Sequence, residues 1–441
     1  MIMRDSTNQV KGEEDTVKVR ADTPGAFQTT STCALIGKRV AVVLFSTYPS
    51  DPRPRRAAEA LVEEGMVVDL ICLTENEKDL RRETFNGVNI LRLPLTRRRG
   101  GKFDYFFRYS TFIFCAFVIL SVRFLNRRYD LVHVHNMPDI LVLSGLIPRA
   151  FGAKIILDLH DPMPELMMTI FGEDHDSPMV RLLKRLEKWS IGLADLVLTP
   201  NFAFKRLFAS RSCPSEKISI VMNSPDNKIF GRRSPRSPTS ITHTSNKRFV
   251  VMYHGSLVER NGVDLAVDAI ARIRRSVPSV ELQIYGHPTP FIERVMASVQ
   301  EKGLHHAIRY LGPKRLEDLV GVIEECDVGI IPNHRSVFAE LNMPTRIFEY
   351  LAIGKPVIAP FTPGIQDYFN SESLFFFQLG SPEDLARQIE YVFSHPTEAI
   401  EIVKRGQVVY QSHAWNQEKL VLVNLVSELL SGGKQAQLNK S

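Results

Sequence analysis

One carboxylate sits inside an apolar run. Residues 342 to 360 read NMPTRIFEYLAIGKPVIAP, and Glu349 is the only acid among them. Pro344 suits the first turn of a helix, where a missing N–H is harmless. Gly354 and Pro356 end the helix, and Val357-Ile358-Ala359 reads as a short buried strand. Glu349 is then either a solvated helix residue or an acid behind a helix N-terminus. In the second case the free N–H groups face a phosphate and the carboxylate accepts from sugar hydroxyls. A glycine-rich loop, Gly255 to Gly262, follows a strand at Phe249–His254, and its glycines let backbone approach a ligand. Arg260 in that loop and Arg346 on the helix can pair with a diphosphate. A third group lies at strand ends: His133, His135, His160, Asp161 and Glu165. Asp51 and Arg53 sit in a Pro-rich loop after the first strand and read equally as ligand contacts or solvated charges. No two of these show a convincing i, i+4 helical spacing, so a metal-site reading of them is the weaker one.

The elements that must position these groups alternate. Arg39–Phe45, Met66–Leu73, Asp130–His135, Lys154–Leu159, Leu196–Pro200 and Ile218–Met222 read as buried strands separated by helices. A second series starts at Phe249 and continues through Val280–Tyr285, Ile308–Leu311 and Val328–Ile331. Continuous apolar runs divided by helices predict mainly parallel sheets covered on both faces. Ligands then bind beyond the carboxyl ends of the strands, where these polar groups fall. The expected division is a disordered extension over 1–37, a Rossmann-like domain over 38–230, a Ser/Pro/basic linker over 231–247, a second Rossmann-like domain over 248–415, and a C-terminal helix and tail over 416–441. The fold class is α/β, two Rossmann-like domains facing a cleft with C-terminal helices closing the clamp.

The 441 residues are 44% hydrophobic, enough for two sizeable cores. Five scattered cysteines without a CxxC pair argue against a disulfide framework and fit a reducing compartment. Between Arg92 and Arg128 nine basic residues face only Asp104, a net +8, so the rest of the chain carries −2 of the total +6. Basicity is one local patch, which speaks against nucleic acid as a partner. The patch brackets Thr111–Val122, nearly all apolar yet too short to span a bilayer. That stretch is either a core helix or an interfacial one whose basic flanks over 97–128 meet anionic lipid.

The 342–360 stretch resembles the C-terminal signature of GT-B glycosyltransferases of family 4 (group 1), in its Pro-Thr-Arg-x-x-Glu-Tyr form. The family's paired glutamate falls at Leu341 here. The opening Tyr-Pro-x-Asp-x-Arg and the Leu-Asp-x-His-Asp-x-x-Pro-Glu pattern around His160 resemble the same family, from about Arg39 to Leu430. The resemblance implies transfer of a sugar from a nucleotide-sugar to an acceptor hydroxyl, with retention and without cofactor or metal. It implies catalytic roles for His160, Asp161, Arg260 and Arg346. Donor contacts fall at Gly255, Ser256, Asn261, Gly286, Thr345 and Glu349, and acceptor-side contacts at Asp51, Arg53, His135 and Glu165. The family's usual loop cations are replaced by Ser256 and Asn261. The basic, apolar stretch adds the expectation of a glycan or lipid-linked acceptor in surface-polysaccharide assembly, met at the inner face of the cell membrane by a peripheral cytoplasmic protein. Nucleotide-sugar epimerisation, or donor binding without catalysis, are the alternatives.

Overall fold

The computed structural model describes residues 34–76, 78–95, 102–235 and 248–432. The first series of strands is β1 (Arg39–Thr47), β2 (Val67–Leu73), β3 (Arg82–Phe85), β4 (Val88–Leu93), β5 (Leu131–His135), β6 (Lys154–Asp158), β7 (Leu196–Thr199) and β8 (Ile218–Ile220). They form one sheet in the order β3-β4-β2-β1-β5-β6-β7-β8, parallel except for the antiparallel β3–β4 edge. The β3–β4 turn, Asn86-Gly87, has φ 47° and 78°, the left-handed pair that hairpin turns require. Helices α1 (Pro52–Glu63), α2 (Lys102–Asn126), α3 (Leu146–Ala150), α4 (Met163–Phe171), α5 (Pro178–Leu193) and α6 (Phe202–Arg211) cover the sheet.

The second series is β9 (Phe249–His254), β10 (Val280–Tyr285), β11 (Ile308–Tyr310), β12 (Val328–Ile330), β13 (Val357–Pro360) and β14 (Phe375–Phe377), all parallel in the order β11-β10-β9-β12-β13-β14. Around it lie α7 (Val263–Ile273), α8 (Pro290–Glu301), α9 (Leu316–Glu325), α10 (Val337–Leu341), α11 (Thr345–Ala352), α12 (Pro363–Gln366), α13 (Pro382–Ser394), α14 (Pro396–Ser412) and α15 (Trp415–Leu430). Each sheet has an apolar cluster on either face, as strands apolar on both sides demand.

Three boundaries differ from the sequence expectation. Leu35 is buried in the first core, so ordered chain precedes residue 38; residues 1–33 lie outside the described residues. Arg233 N–H donates to the Ala352 carbonyl at 2.8 Å, so the start of the expected linker is docked on the second domain, and 236–247 fall outside the described residues. Helix α15 returns to the first domain. Its Leu422, Val423 and Val426 join the core containing Leu61, and Glu418 accepts from the Met222 N–H at 2.7 Å. It straps the two sheets together.

Helix α2 has one face in the core and an exposed apolar face opposite it. Phe112, Ala116 and Leu120 are fully buried against the first sheet. On the opposite face Phe107, Phe114 and Leu125 are 71%, 68% and 81% exposed. The segment Phe107–Asn126 is long and apolar enough to cross a membrane by composition, but its inner stripe is part of the core. The expected cations Arg97, Arg98 and Arg99 lie outside the described residues.

Candidate functional site

The carboxyl ends of β1, β5 and β6 face those of β9 and the start of α11 across a cavity of about 470 Å³. One wall carries Asp51, Arg53, His135, His160 and Asp161. The other carries Gly255, Thr345 and Arg346. A neighbouring cavity of about 440 Å³ shares Pro52 and extends past Arg56 to His287, the residue after Gly286. The sequence thus brings most of its candidate residues to one cleft between the domains.

On the second-domain wall the backbone is held close. A Cβ on Gly286 would lie 2.2 Å from the Gly255 carbonyl oxygen, and one on Gly262 1.8 Å from that of Pro332. Only glycine permits these approaches. Arg346 donates from Nη1 to the His254 carbonyl at 2.9 Å and lies 4.7 Å from the centre of the Tyr253 ring, so its guanidinium is fixed over Gly255. Helix α11 presents its N-terminus beside it, lined by Asn342 to Thr345, where unpaired N–H groups favour an anion. Glu349 lies one turn deeper. Its Oε2 is 2.6 Å from His254 Nε2, whose other ring nitrogen is 2.9 Å from the Tyr350 hydroxyl. Burial raises that tyrosine well above its ordinary pKa.

On the first-domain wall the polar groups form a buried column. Arg53 grips Asp158 through Nη2 at 2.7 Å and Nε at 3.0 Å and also donates to the Val221 carbonyl at 2.9 Å. Burial alone would raise the Asp158 carboxyl, but Arg53 and the His135 ring, 3.2 Å away, hold it well below the usual range. Burial pushes His160 down to about 4 and holds His133 well below the ordinary value, so both rings are neutral near pH 7. His133, His135 and Asp158 are close enough to share a metal ion, the one such trio among the described residues. They fit a divalent cation poorly, because the Arg53 guanidinium already occupies both oxygens of the only anionic ligand.

Several expected roles change. Glu165 is not at the cleft: it is 3% exposed and paired with Arg211, which also holds the buried Glu187. Its burial is compensated by that triad rather than by a ligand. Arg53 lines the cleft, but its charge is committed to Asp158, which makes it a positioning group. Arg260 lines a different cavity of about 550 Å³ with Arg294 and His334, away from Arg346. The side chain of Asn261 donates to the Ser256 carbonyl at 2.7 Å, closing the loop on itself. Sequence reasoning missed Asn136. Its Oδ1 accepts from the His160 N–H at 3.0 Å and its Nδ2 donates to the Asp161 carbonyl at 2.6 Å and to Asp139 at 3.0 Å. This buried amide sets the loop that carries His160 and Asp161. The signal was its place directly after β5.

Residues 51–224 match the family described as "Glycosyl transferase 4-like domain", and residues 248–395 match "Glycosyl transferases group 1". A probable glycosyltransferase of Pseudomonas aeruginosa, WbjE, is 23% identical over 262 residues, 58% of this chain. The D-inositol 3-phosphate glycosyltransferase of Corynebacterium glutamicum is 27% identical over 256 residues, 54% of this chain. The matches span 63% and 57% of those two relatives' lengths. Among solved structures, sucrose-phosphate synthase of Thermosynechococcus elongatus superposes with TM-score 0.73 at 18% identity, covering 89% of this chain and 99% of that one. Anabaena HepE in complex with UDP-glucose superposes with TM-score 0.65 at 15% identity, covering 88% and 99%. These likenesses establish the fold, two Rossmann-like domains in the GT-B arrangement.

Proposed function

The chain belongs to the group 1 glycosyltransferases, and from that premise we propose that it moves a sugar from a nucleotide-sugar donor to a hydroxyl of a lipid-linked acceptor, with retention at the anomeric carbon. The observation that carries this is the opposition across one cavity of an anion-binding wall, Gly255, Thr345 and Arg346, and a polar wall, His160 and Asp161. As the bond from the anomeric carbon to the diphosphate breaks, negative charge grows on the leaving oxygens. Arg346 and the N-terminus of α11 are fixed before the reaction, so they stabilise that charge without reorganising. Glu349 accepts from ribose hydroxyls, and the cavity beyond Pro52 takes the base. His160, neutral and held by Asn136, orients the donor sugar or acceptor with Asp161. The reading assigns no step to a metal or cofactor. The HepE structures contain UDP and UDP-glucose, which favours such a donor by analogy of fold.

A lipid-linked acceptor and peripheral placement at the inner membrane face are supported by the exposed apolar stripe of α2. The departures at Ser256 and Asn261 keep one rival in view, donor binding without catalysis. Incubating the protein with a panel of nucleotide-sugars, with and without membrane extract, separates the readings. Labelled lipid product supports transfer. Product from donor alone means epimerisation, and binding with neither transfer nor hydrolysis means a non-catalytic subunit.

A further inference from the structure

Beside the cleft lies a further, smaller cavity that sugar transfer leaves unused. It is a groove of about 170 Å³ between α2, α4 and α5. Met163, Met167, Phe171, Met179, Leu182 and Leu186 make its wall almost wholly hydrocarbon. Methionines adapt to irregular apolar occupants. Tyr109 lines this groove and the cleft alike, and Pro138 in the groove directly follows Met137 in the cleft wall. The two spaces therefore adjoin at Tyr109.

At its outer side the groove meets a surface of mixed chemistry. Helix α5 exposes Arg181, Arg185 and Lys188, while its single acid, Glu187, is buried under Arg211. Beside these cations Leu182 and Trp189 are 50% and 48% exposed. Cations next to exposed apolar side chains on one helix complement an anionic lipid surface. The outer face of α2, flanking the same groove, adds Phe107 and Phe114.

We propose that this groove seats the first segment of a single polyprenyl-type hydrocarbon chain, carried on a phosphate, whose glycan head enters the cleft past Tyr109. The inference rests on the transfer reading and adds the class of acceptor lipid and its seat. Volume selects a single chain. Taking about 30 Å³ for a water-sized group, the groove holds roughly six such groups, one branched five-carbon unit and not two acyl chains abreast. The rest of the chain leaves by the mouth into the bilayer under the basic face of α5. The phosphate stays outside the groove, clear of the Asp139 and Glu173 that also line it.

Calorimetric titration of the full chain with geranylgeranyl phosphate below its micelle concentration tests this, alongside dihexanoyl phosphatidylglycerol and inorganic phosphate. Saturable binding of geranylgeranyl phosphate alone is expected. Met167→Gln and the half-exposed Leu182→Gln should each weaken it about tenfold, with unchanged melting temperature. Unchanged affinity in a folded Leu182→Gln protein overturns the seat, even if Met167→Gln fails to fold. Equal binding of the two-chain lipid overturns the choice of chain, and equal binding of inorganic phosphate reduces the site to an anion contact. Donor turnover by the same preparation separates the two readings. Turnover without chain binding removes the groove and keeps transfer, and chain binding without turnover does the reverse.

Discussion

Replacing Glu349 with Ala should weaken donor binding through ribose and leave the rest of the nucleotide site in place. Tyr350 donates its hydroxyl hydrogen to the Met252 carbonyl at 2.9 Å. Its oxygen therefore faces His254 Nδ1 as an acceptor, and the Glu349 carboxylate faces His254 Nε2 as another. The Nε2 contact pins one carboxylate oxygen and leaves Oε1 for a ligand. Hydrogen bonds to a charged group contribute about 1.5–3 kcal/mol, so the dissociation constant should rise roughly 10- to 150-fold. Calorimetry with the best-binding nucleotide from a screen measures this well below the melting temperature. The matching 2′,3′-dideoxynucleotide completes a cycle: it should bind the parent protein weakly, and Glu349→Ala should weaken it little further. An unchanged constant in a folded variant, or an equal loss with the dideoxynucleotide, refutes the ribose contact.

Three further outcomes follow from the site and its supports. Arg346→Lys cannot keep both the His254 carbonyl and the Tyr253 ring, so turnover should fall about 100-fold while donor affinity changes far less; equal losses in kcat and affinity would place its role in ground-state binding. His160, held near 4 against about 6.5 when unfolded, leaves stability intact above pH 6.5 and removes about 3 kcal/mol as pH falls from there toward 4. Urea unfolding of His160→Gln should show a flatter acid limb, and an identical limb would contradict the buried neutral ring. Arg211→Met strands Glu165 and Glu187 and should destabilise the fold by about 3–5 kcal/mol in the same assay, with donor affinity retained, whereas a loss below about 1 kcal/mol would mean the carboxylates find other partners.

The fold was legible because both sheets are buried on both faces, so strands such as β1 and β9 appear as nearly unbroken apolar runs. The β3–β4 edge was assigned no element, although Asn86-Gly87 is a strong hairpin signal, because β3 is polar and short. What the sequence hid was long-range pairing. Glu165 looked like a cleft acid because it follows a strand end, and nothing near it announces Arg211, 46 residues on. Arg53 lines the cleft, but its bond to Asp158 spans 105 residues, so its support role was invisible. The return of α15 to the first domain is likewise a matter of which apolar face meets which, and periodicity alone does not say.

The departures at Ser256 and Asn261 become intelligible from these contacts. A loop that binds a diphosphate with mobile cations must order them on binding, at an entropic cost. Here Asn261 and the Tyr253 hydroxyl both donate to the Ser256 carbonyl, at 2.7 and 2.9 Å, and fix the loop before any ligand arrives. Arg346 is anchored to the same strand end by its bond to the His254 carbonyl. One fixed cation, the close-packed glycine backbone and the start of α11 therefore face the proposed phosphate position, where the resembling family usually adds two loop cations. Fixed dipoles stabilise developing charge without reorganisation, while a second full charge would bind the ground state as well. The fixed groups are the ones the transfer reading requires for the chemical step. That is why the transfer reading survives the loss of both loop cations.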